Sequence, residues 1–223
     1  MHQDTRLCPD LQEVRMHSSG ICILGASGHG KVVLGILRAL SLDVAGFYDD
    51  APSLHGVSVM GIPVLGSLTE FSLVERGAAV SGIGNGAIRK RIVAMCTKAL
   101  WTTLVHPAAW VDPAASLDSG TVICAGAVLQ PGVSVGCHAI VNTCASVDHD
   151  CLIGDFTHVC PGVHLGGNVH VGQDSWIGIG SQVIQGVGIG SNVLVGAGST
   201  IIRDVPDNAV VMGSPARIVR YQS

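Results

Sequence analysis

The chain has 223 residues, a formal net charge of −4 and 48% hydrophobic residues. That hydrophobic share is enough for a buried core, so a mainly disordered chain is excluded, and the lack of a long Lys/Arg run argues against a nucleic-acid partner. The 30 glycines, with only 4% aromatic and 13% charged residues, favour tightly wound β-structure over a helical bundle.

The cysteines and the amino-terminal segment predict a cytoplasmic protein. None of the eight cysteines forms a C-x-x-C pair and the chain is not a small secreted scaffold, so reduced thiols are expected. Residues 1–19 contain no apolar signal-peptide core, and no later stretch has eighteen charge-free apolar residues of helical character. We expect no membrane partner, and a flexible tail over residues 1–19.

Residues 20–105 predict a small Rossmann-like domain with a parallel sheet. A short apolar strand, Ile21–Leu24, precedes a turn with glycines at 25, 28 and 30, and a helical pattern then runs through Leu40. A glycine turn at the start of a helix favours a phosphate. The spacing is G-x-x-G-x-G rather than the dinucleotide fingerprint G-x-G-x-x-G, and a purely structural turn remains an alternative.

The next strand, Val44–Tyr48, ends in two acids, Asp49 and Asp50. They lie about twenty residues past the glycines, where an acid can accept hydrogen bonds from a ribose or a base; the alternative is a solvated turn. The same patterns predict three further strands and a crossover helix. The strands are Ile62–Leu65, Ala79–Ile83 and Thr103–Val105, and the helix is Ala87–Leu100.

From Val111 to Ile201 an aliphatic residue recurs every six positions, which predicts a β-helix over residues 106–209. A period of six is neither helical nor a simple strand alternation, so each repeat is a short strand and a turn. Three repeats close a triangular coil with the aliphatic side chains inside, and residues eighteen apart stack. Glycines that directly follow the aliphatic residue, as at 136, 154, 166, 172, 178, 190 and 196, are expected to allow the turning. Residues 210–223 form a separate carboxy-terminal segment.

The repeat resembles that of the hexapeptide-repeat acyltransferases, which are left-handed parallel β-helices, usually homotrimers with acetyl-CoA in grooves between subunits. The segments GASGHGKVV, FYDD, GIGNGAIRKRI and LVHPAAWVDPAA extend the resemblance across residues 20–217. Together they look like the sugar O-acyltransferase family that includes sialic acid O-acetyltransferase-like proteins and the N-acetyltransferases of bacillosamine and perosamine biosynthesis.

The resemblance implies a reaction and a set of substrates. An acetyl group would move from the co-substrate acetyl-CoA to the 4-amino group of a UDP- or GDP-linked 4-amino-4,6-dideoxy sugar. Neither a metal nor a nicotinamide cofactor would be needed. The product would be used for surface glycans such as lipopolysaccharide. The small domain would hold the nucleotide sugar, with Asn142 near the reacting sugar. The remaining expected contacts are Gly25, Ser27, Gly28, His29, Asp49, Asp50 and Asn85.

Acetyl transfer to an amine needs a base and a donor for the oxyanion. His149 is followed directly by Asp150, whose carboxylate can orient an imidazole. A lone histidine on a β-helix surface is more often solvated, but the resemblance assigns the base to His149 and the orienting role to Asp150. The family more commonly has Glu as the partner, so we expect the shorter Asp to reach a different ring nitrogen or a neighbouring group.

The oxyanion donor and the acetyl-CoA contacts follow from stacking and from the resemblance. Gly167 lies eighteen residues after His149 and should stack beside it, so its backbone N–H is the expected oxyanion donor. The GSPAR segment, residues 213–217, resembles the usual end of these β-helices, near the adenine of CoA. The expected acetyl-CoA contacts are His158, Gly167, Gly180, Gly198, Gly213 and Pro215, with plain surface polarity or a turn as the alternative for His158, Asn142 and the GSPAR segment.

Three rival functions remain open. A γ-class carbonic anhydrase would hold zinc with three histidines. His158, His164 and His170 are six apart and should lie on three faces, so they cannot converge within one subunit, although a metal shared between subunits is not excluded by that spacing. A non-catalytic solenoid would explain neither the glycine turn nor the His-Asp pair. The third rival is O-acetylation of a sialic acid or another glycan.

Overall fold

The computed structural model describes residues 20–222, so the predicted tail at 1–19 lies outside the described residues. The chain divides into two compact units. Among the described residues, the first comprises 20–83 together with 92–103, and the second comprises 84–91 together with 104–222. No helix within 20–222 combines the length and the apolar character needed to cross a membrane.

The first unit is an α/β domain whose sheet has the strand order β3-β4-β2-β1-β5-β6. All neighbours pair in parallel except β3 and β4, which are antiparallel. The strands are β1 (Ile21–Leu24), β2 (Val44–Tyr48), β3 (Ser58–Val59), β4 (Ile62–Gly66), β5 (Ala78–Ser81) and β6 (Leu100–Trp101). Its helices are α1 (Gly28–Ala39) and α2 (Leu68–Ser72), with a 3₁₀ turn at Pro52–Leu54, while α3 (Gly86–Met95) begins in the second unit and ends in the first. The Rossmann-like parallel sheet predicted from the sequence is confirmed.

Two details of that prediction were wrong. The last strand of this sheet is Leu100–Trp101, which pairs with Ala78 and Ala79, whereas Leu104–Val105 pairs within the second unit. The crossover helix therefore ends at Met95 instead of Leu100, because Leu100 must be extended to pair with β5. The sequence reading also omitted β3 and α2, although α2 begins with a Ser67/Glu70 capping box.

The second unit is a parallel β-helix of two-residue strands arranged in three sheets. Face 1 holds β7 (Leu104–Val105), β10 (Val122–Ile123), β13 (Ile140–Val141), β16 (His158–Val159), β19 (Trp176–Ile177) and β22 (Leu194–Val195). Face 2 holds β8 (Trp110–Val111), β11 (Val128–Leu129), β14 (Ser146–Val147), β17 (His164–Leu165), β20 (Gln182–Val183) and β23 (Thr200–Ile201). Face 3 holds β9 (Ser116–Leu117), β12 (Ser134–Val135), β15 (Leu152–Ile153), β18 (His170–Val171) and β21 (Gly188–Ile189).

The chain visits the three faces in turn, and each strand pairs with the strand eighteen residues further on, so the hexapeptide period is confirmed. The repeated aliphatic residues point inward and are almost fully buried from Ile123 to Ile201, while Val111 and Leu117 are partly buried against the same core. Burial of each such side chain stabilises the fold by roughly 1.5–3 kcal/mol. An antiparallel hairpin of β24 (Ala209–Gly213) and β25 (Ala216–Tyr221) extends face 1 beyond β22.

The role predicted for the glycines that follow the aliphatic residues was wrong. The chain turns two residues later, where φ is positive and the residue is glycine or a tolerant residue such as Asp150 or Asn168. The glycines directly after the aliphatic residue instead lie against the next coil. A Cβ at Gly154 would be 2.5 Å from the Gln173 nitrogen. Glycine at this position allows one coil to approach the next.

Candidate active site

His149 and Asp150 lie on the edge of the β-helix between faces 2 and 3, directly after β14. The Nδ1 atom of His149 is 2.8 Å from Oδ2 of Asp150, and both side chains are largely exposed, at 59% and 69%. Asp150 occupies the turn position with a φ of 59°, a left-handed conformation that Asp tolerates. The turn that bends the chain therefore also directs the carboxylate to the preceding ring. The shorter Asp reaches Nδ1.

The surroundings of His149 favour its protonated form. The hydrogen bond to Asp150 raises the pKa of His149 above its ordinary value, and the charge of Asp148 acts in the same direction. Asp148 also accepts the backbone N–H of His149 at 2.8 Å, which fixes the start of the turn. Because Nδ1 is bonded to Asp150, Nε2 is the ring nitrogen left to exchange a proton with a substrate.

Gly167 stacks on the His149 ring, as the eighteen-residue spacing predicts. A Cβ at Gly167 would lie 2.5 Å from Nε2 of His149, so any side chain there would displace the imidazole. The backbone N–H of Asn168 donates to the carbonyl of His149 at 2.8 Å and joins the two coils. Within residues 20–222 the N–H of Gly167 makes no backbone hydrogen bond, and Gly167 is buried beside the imidazole.

Asn142 and His158, predicted as separate contacts, are hydrogen-bonded to each other. Nδ2 of Asn142 is 2.9 Å from Nε2 of His158, and both residues are buried. The Oδ1 atom of Asn142 accepts the backbone N–H of Thr143 at 2.7 Å. On its other side, Nδ1 of His158 is 3.0 Å from the carbonyl oxygen of Gly84. The ring packs edge to face on Trp176, with centroids 4.5 Å apart.

The sequence reading missed Arg89, which is 1% exposed. In the segment GIGNGAIRKRI it looks like one of three surface cations, and no sequence signal distinguishes it. Its guanidinium donates to the carbonyl oxygens of His138 (2.7 Å), Gly84 (2.9 Å) and Phe156 (2.6 Å). Burial lowers the pKa of Arg89 to about 10. Arg89 thereby attaches the start of α3 to the β-helix within the second unit.

Of the expected acetyl-CoA contacts, Gly167 lies apart from the others, which are on or beside the sheet of face 1. His158 lines a groove of about 410 Å³ on face 1 with Trp176, Gly178 and Gly196. Gly180 and Gly198 stack on the edge between faces 1 and 2, both with positive φ and with open space where a Cβ would be. Gly213 ends β24, and Pro215 lies between β24 and β25. Gly167 is on a different edge, beside His149.

His149 lies on the edge opposite face 1, since face 1 closes each triangular coil between faces 3 and 2. His158, His164 and His170 belong to β16, β17 and β18, one on each face, as predicted.

A separate group of potential ligand atoms from Asp118, Cys137 and Asp155 lies within 4.8 Å on the edge between faces 3 and 1. There Oδ1 of Asp155 accepts the backbone N–H of Cys137.

In the first unit the glycine turn lies between β1 and α1. Gly25 has a φ of 108°, and a Cβ there would overlap the side chain of Ile83. A Cβ at Gly30 would overlap the carbonyl of Gly25. Ser27 and Gly28 are exposed at the start of α1, and His29 is half-buried. The Ser27 side chain makes no capping hydrogen bond with the helix it precedes. The start of this twelve-residue helix thus presents backbone N–H groups to solvent.

The predicted acids and Asn85 already hold backbone groups. Asp49 accepts the N–H of Ala26 at 2.7 Å and so ties the end of β2 to the glycine turn. Asp50 accepts the N–H of Leu68 at the start of α2, at 2.9 Å. Asn85 belongs to the second unit, where its Oδ1 accepts the N–H of Ile88 and caps α3. These hydrogen bonds explain why Asp or Asn is present at each of the three positions. Each accepting side-chain oxygen still has a lone pair that is not used.

Known proteins share both units. Residues 20–96 match the family model described as the PglD N-terminal domain. The acetyltransferase domain of PglB from Neisseria gonorrhoeae is 41% identical, with a TM-score of 0.82, and the match covers 89% of this chain and 98% of that chain. This chain belongs to the hexapeptide-repeat acyltransferase family.

Other members of the family are similar over most of their length. A histidine-to-asparagine mutant of perosamine N-acetyltransferase from Caulobacter crescentus, solved with CoA and GDP-perosamine, is 34% identical with a TM-score of 0.84; the match covers 91% of this chain and 97% of that chain. GDP-perosamine N-acetyltransferase of Escherichia coli O157:H7 is 28% identical over 74% of this chain and 77% of its own length. The left-handed β-helix and the acyltransferase class predicted from the sequence are confirmed.

Proposed function

We propose that this chain transfers the acetyl group of acetyl-CoA to the 4-amino group of a UDP- or GDP-linked 4-amino-4,6-dideoxy sugar, in the synthesis of a surface glycan. The observation that carries the proposal is an exposed imidazole with Nδ1 bonded to a carboxylate and with Gly167 of the next coil packed against Nε2. The similarity to perosamine N-acetyltransferase supports the class of substrate.

The geometry gives each group one task. As the amine nitrogen attacks the thioester carbonyl carbon, Nε2 of His149 removes a proton from that nitrogen. The N–H of Gly167 donates to the oxygen that becomes negative in the tetrahedral intermediate. Asp150 holds the ring and stabilises the imidazolium. The carbon–sulfur bond then breaks, and the proton on His149 passes to the departing CoA sulfur, which regenerates the neutral base.

The amino-terminal domain predicted at residues 20–105 is proposed to hold the nucleotide sugar. The exposed start of α1 offers N–H groups to the diphosphate, since a helix N-terminus favours an anion and α1 has no acid in its first turn. Asp49 and Asp50, which directly follow β2 beside the glycine turn, supply acceptors for ribose or base. His29 of the first unit and Asn85 of the second stay predicted contacts of the nucleotide sugar, and residues 106–209 with the segment 210–223 are proposed to hold acetyl-CoA.

The active enzyme is proposed to be a homotrimer. In one chain His149 lies on the edge opposite the face that carries Asn142 and His158, so these residues form one site only if two copies contribute to it. Apolar side chains on the outside of the β-helix, such as Leu152 and Ile179, are 46% and 57% exposed, which favours their coverage by another copy. The cytoplasmic location stays a prediction.

A thiol-release assay tests the function. Purified chain is mixed with acetyl-CoA and a panel of UDP-, GDP- and dTDP-linked 4-amino sugars, with the matching 4-hydroxy sugars and free sialic acid as controls. We expect CoA release with one or more amino sugars, and a product heavier by one acetyl group. Release only with sialic acid or a hydroxy sugar would instead identify an O-acetyltransferase, and no release with any acceptor would contradict an acetyltransferase.

A further inference from the structure

A chain of hydrogen bonds inside the second unit ends on the ring of His158. It begins at Arg89, which donates to the carbonyl oxygens of His138, Gly84 and Phe156. The oxygen of Gly84 also lies 3.0 Å from Nδ1 of His158. A carbonyl oxygen has two lone pairs, so it accepts from both side chains at once.

The proton on His158 follows from its two neighbours. A carbonyl oxygen only accepts, so Nδ1 of His158 carries the hydrogen. The backbone N–H of Thr143 donates to Oδ1 of Asn142, which identifies the other amide atom as the Nδ2 donor. Nδ2 therefore donates to Nε2 of His158, which must be bare. A second ring proton would face an N–H donor, so the arrangement holds a neutral ring with its hydrogen on Nδ1.

The position of Gly84 depends on Arg89. The segment 84–91 precedes and begins α3, and a Cβ at Gly86 would lie 3.0 Å from the carbonyl oxygen of Phe156, so the segment packs tightly on the β-helix. Arg89 is buried, and its guanidinium donates to backbone carbonyls on both the 84–91 segment and the β-helix. A lysine at this position has one nitrogen and cannot span the same set of acceptors.

We propose that Arg89 is a positioning residue that, through the carbonyl of Gly84, holds His158 as the neutral Nδ1–H tautomer in the wall of the face 1 groove. His158 then takes no part in proton transfer. It offers a fixed, uncharged surface beside Trp176, in the groove of about 410 Å³. The effect on catalysis rests on the proposed function, in which this groove contacts acetyl-CoA. The assignment of the tautomer does not rest on that function.

The first test is nitrogen NMR of the histidine rings in the full wild-type chain, with His158→Gln used for assignment. We expect the ¹⁵N shifts of His158 to show a protonated Nδ1 and a bare Nε2 at neutral pH. A proton on Nε2, alone or with Nδ1, overturns the proposal. In Asn142→Asp the donor becomes an acceptor, so we expect His158 to gain the second proton, and an unchanged ring would overturn the assignment of Nε2.

The second test separates positioning from general stability. In Arg89→Lys we expect the KM for acetyl-CoA to rise on the order of tenfold, because a charged hydrogen bond is lost, with kcat and the KM for the nucleotide sugar within about twofold. Arg91→Lys, exposed on the same helix, is the matched control and should leave all three constants unchanged. An unchanged KM for acetyl-CoA in Arg89→Lys overturns the proposal.

The proposed function and the proposal on Arg89 can be contradicted independently of each other. If the wild-type chain acetylates no sugar, the proposed function fails, while the NMR spectrum still decides the tautomer. If Arg89→Lys does not fold, the wild-type tautomer and the Asn142→Asp spectrum decide the proposal. An Nδ1–H ring in wild type that stays unchanged in a folded Arg89→Lys chain would show that Arg89 does not position it, and would overturn the proposal.

Discussion

His149 and His158 are only nine residues apart along the β-helix, yet their surroundings differ. His149 is exposed, and a carboxylate on Nδ1 raises its pKa. His158 is buried between a carbonyl and an amide that together fit only a neutral ring. On this β-helix the chemistry of a histidine therefore depends on its place in the repeat and on the groups beside it, since His149 lies in a turn next to Asp150 and His158 lies in strand β16.

The largest expected effect concerns His149 as the base. His149→Ala should lower turnover by about a thousandfold, since general-base assistance is worth roughly 10²–10⁴-fold, and should leave nucleotide-sugar affinity unchanged. CoA release and calorimetric titration with the nucleotide sugar measure the two quantities. His170→Ala, an exposed histidine on face 3, is the control. Turnover equal to wild type would remove His149 from the mechanism.

Gly167→Ala tests the space above the His149 ring. The added methyl would start 2.5 Å from Nε2, so the imidazole must move, and displacement of a catalytic group by an ångström costs about a hundredfold in kcat. Gly162→Ala is the control, because open space surrounds that position, although its positive φ should cost about 1 kcal/mol of stability. Steady-state rates and melting temperatures of both variants check this; equal rates would contradict it.

Asp150→Asn should lower kcat about tenfold and move the acidic limb of the pH profile. The base works only when deprotonated, so the rate falls as the pH drops through the pKa of His149. Because Asp150 raises that pKa, its removal lowers the pKa and shifts the limb to lower pH. Profiles of kcat/KM against pH measure the shift. Asp148→Asn should shift the limb the same way by less, and an unmoved limb in Asp150→Asn would refute the role of the carboxylate.

The smallest effect is expected from a mixing experiment that tests whether the two histidines act in one site across a subunit boundary. His149→Ala and His158→Ala chains, each weak alone at low acetyl-CoA, are unfolded together and reassembled in equal amounts. About three quarters of random trimers then contain both types, each with one intact site in three, so activity should recover to about a quarter of wild type. No recovery, with mixed trimers verified by mass spectrometry, would place both residues of a site in one chain.

Parts of the site could be predicted from the sequence because they depend on adjacent residues or on the repeat. Asp150 follows His149 directly, and Gly167 lies one eighteen-residue coil later, so a repeat and a turn are enough to place them. The Asn142–His158 pair is sixteen residues apart and the Arg89–Phe156 bond 67 apart, and no period relates those positions. The boundary strand β6 was misplaced because Trp101 and Val105 are both residue types favoured in strands, and only the pairing distinguishes Leu100–Trp101 from Leu104–Val105.

By itself the sequence determined the β-helix, because a strict six-residue aliphatic repeat has one way to bury its side chains, and it determined the His-Asp pair through adjacency. Only the tertiary structure decided which glycines turn the chain and which allow the coils to stack. It also decided that Arg89 is buried and that His158 is held neutral. Those properties depend on contacts between distant segments, where burial and hydrogen-bond partners, and not residue type, set the chemistry.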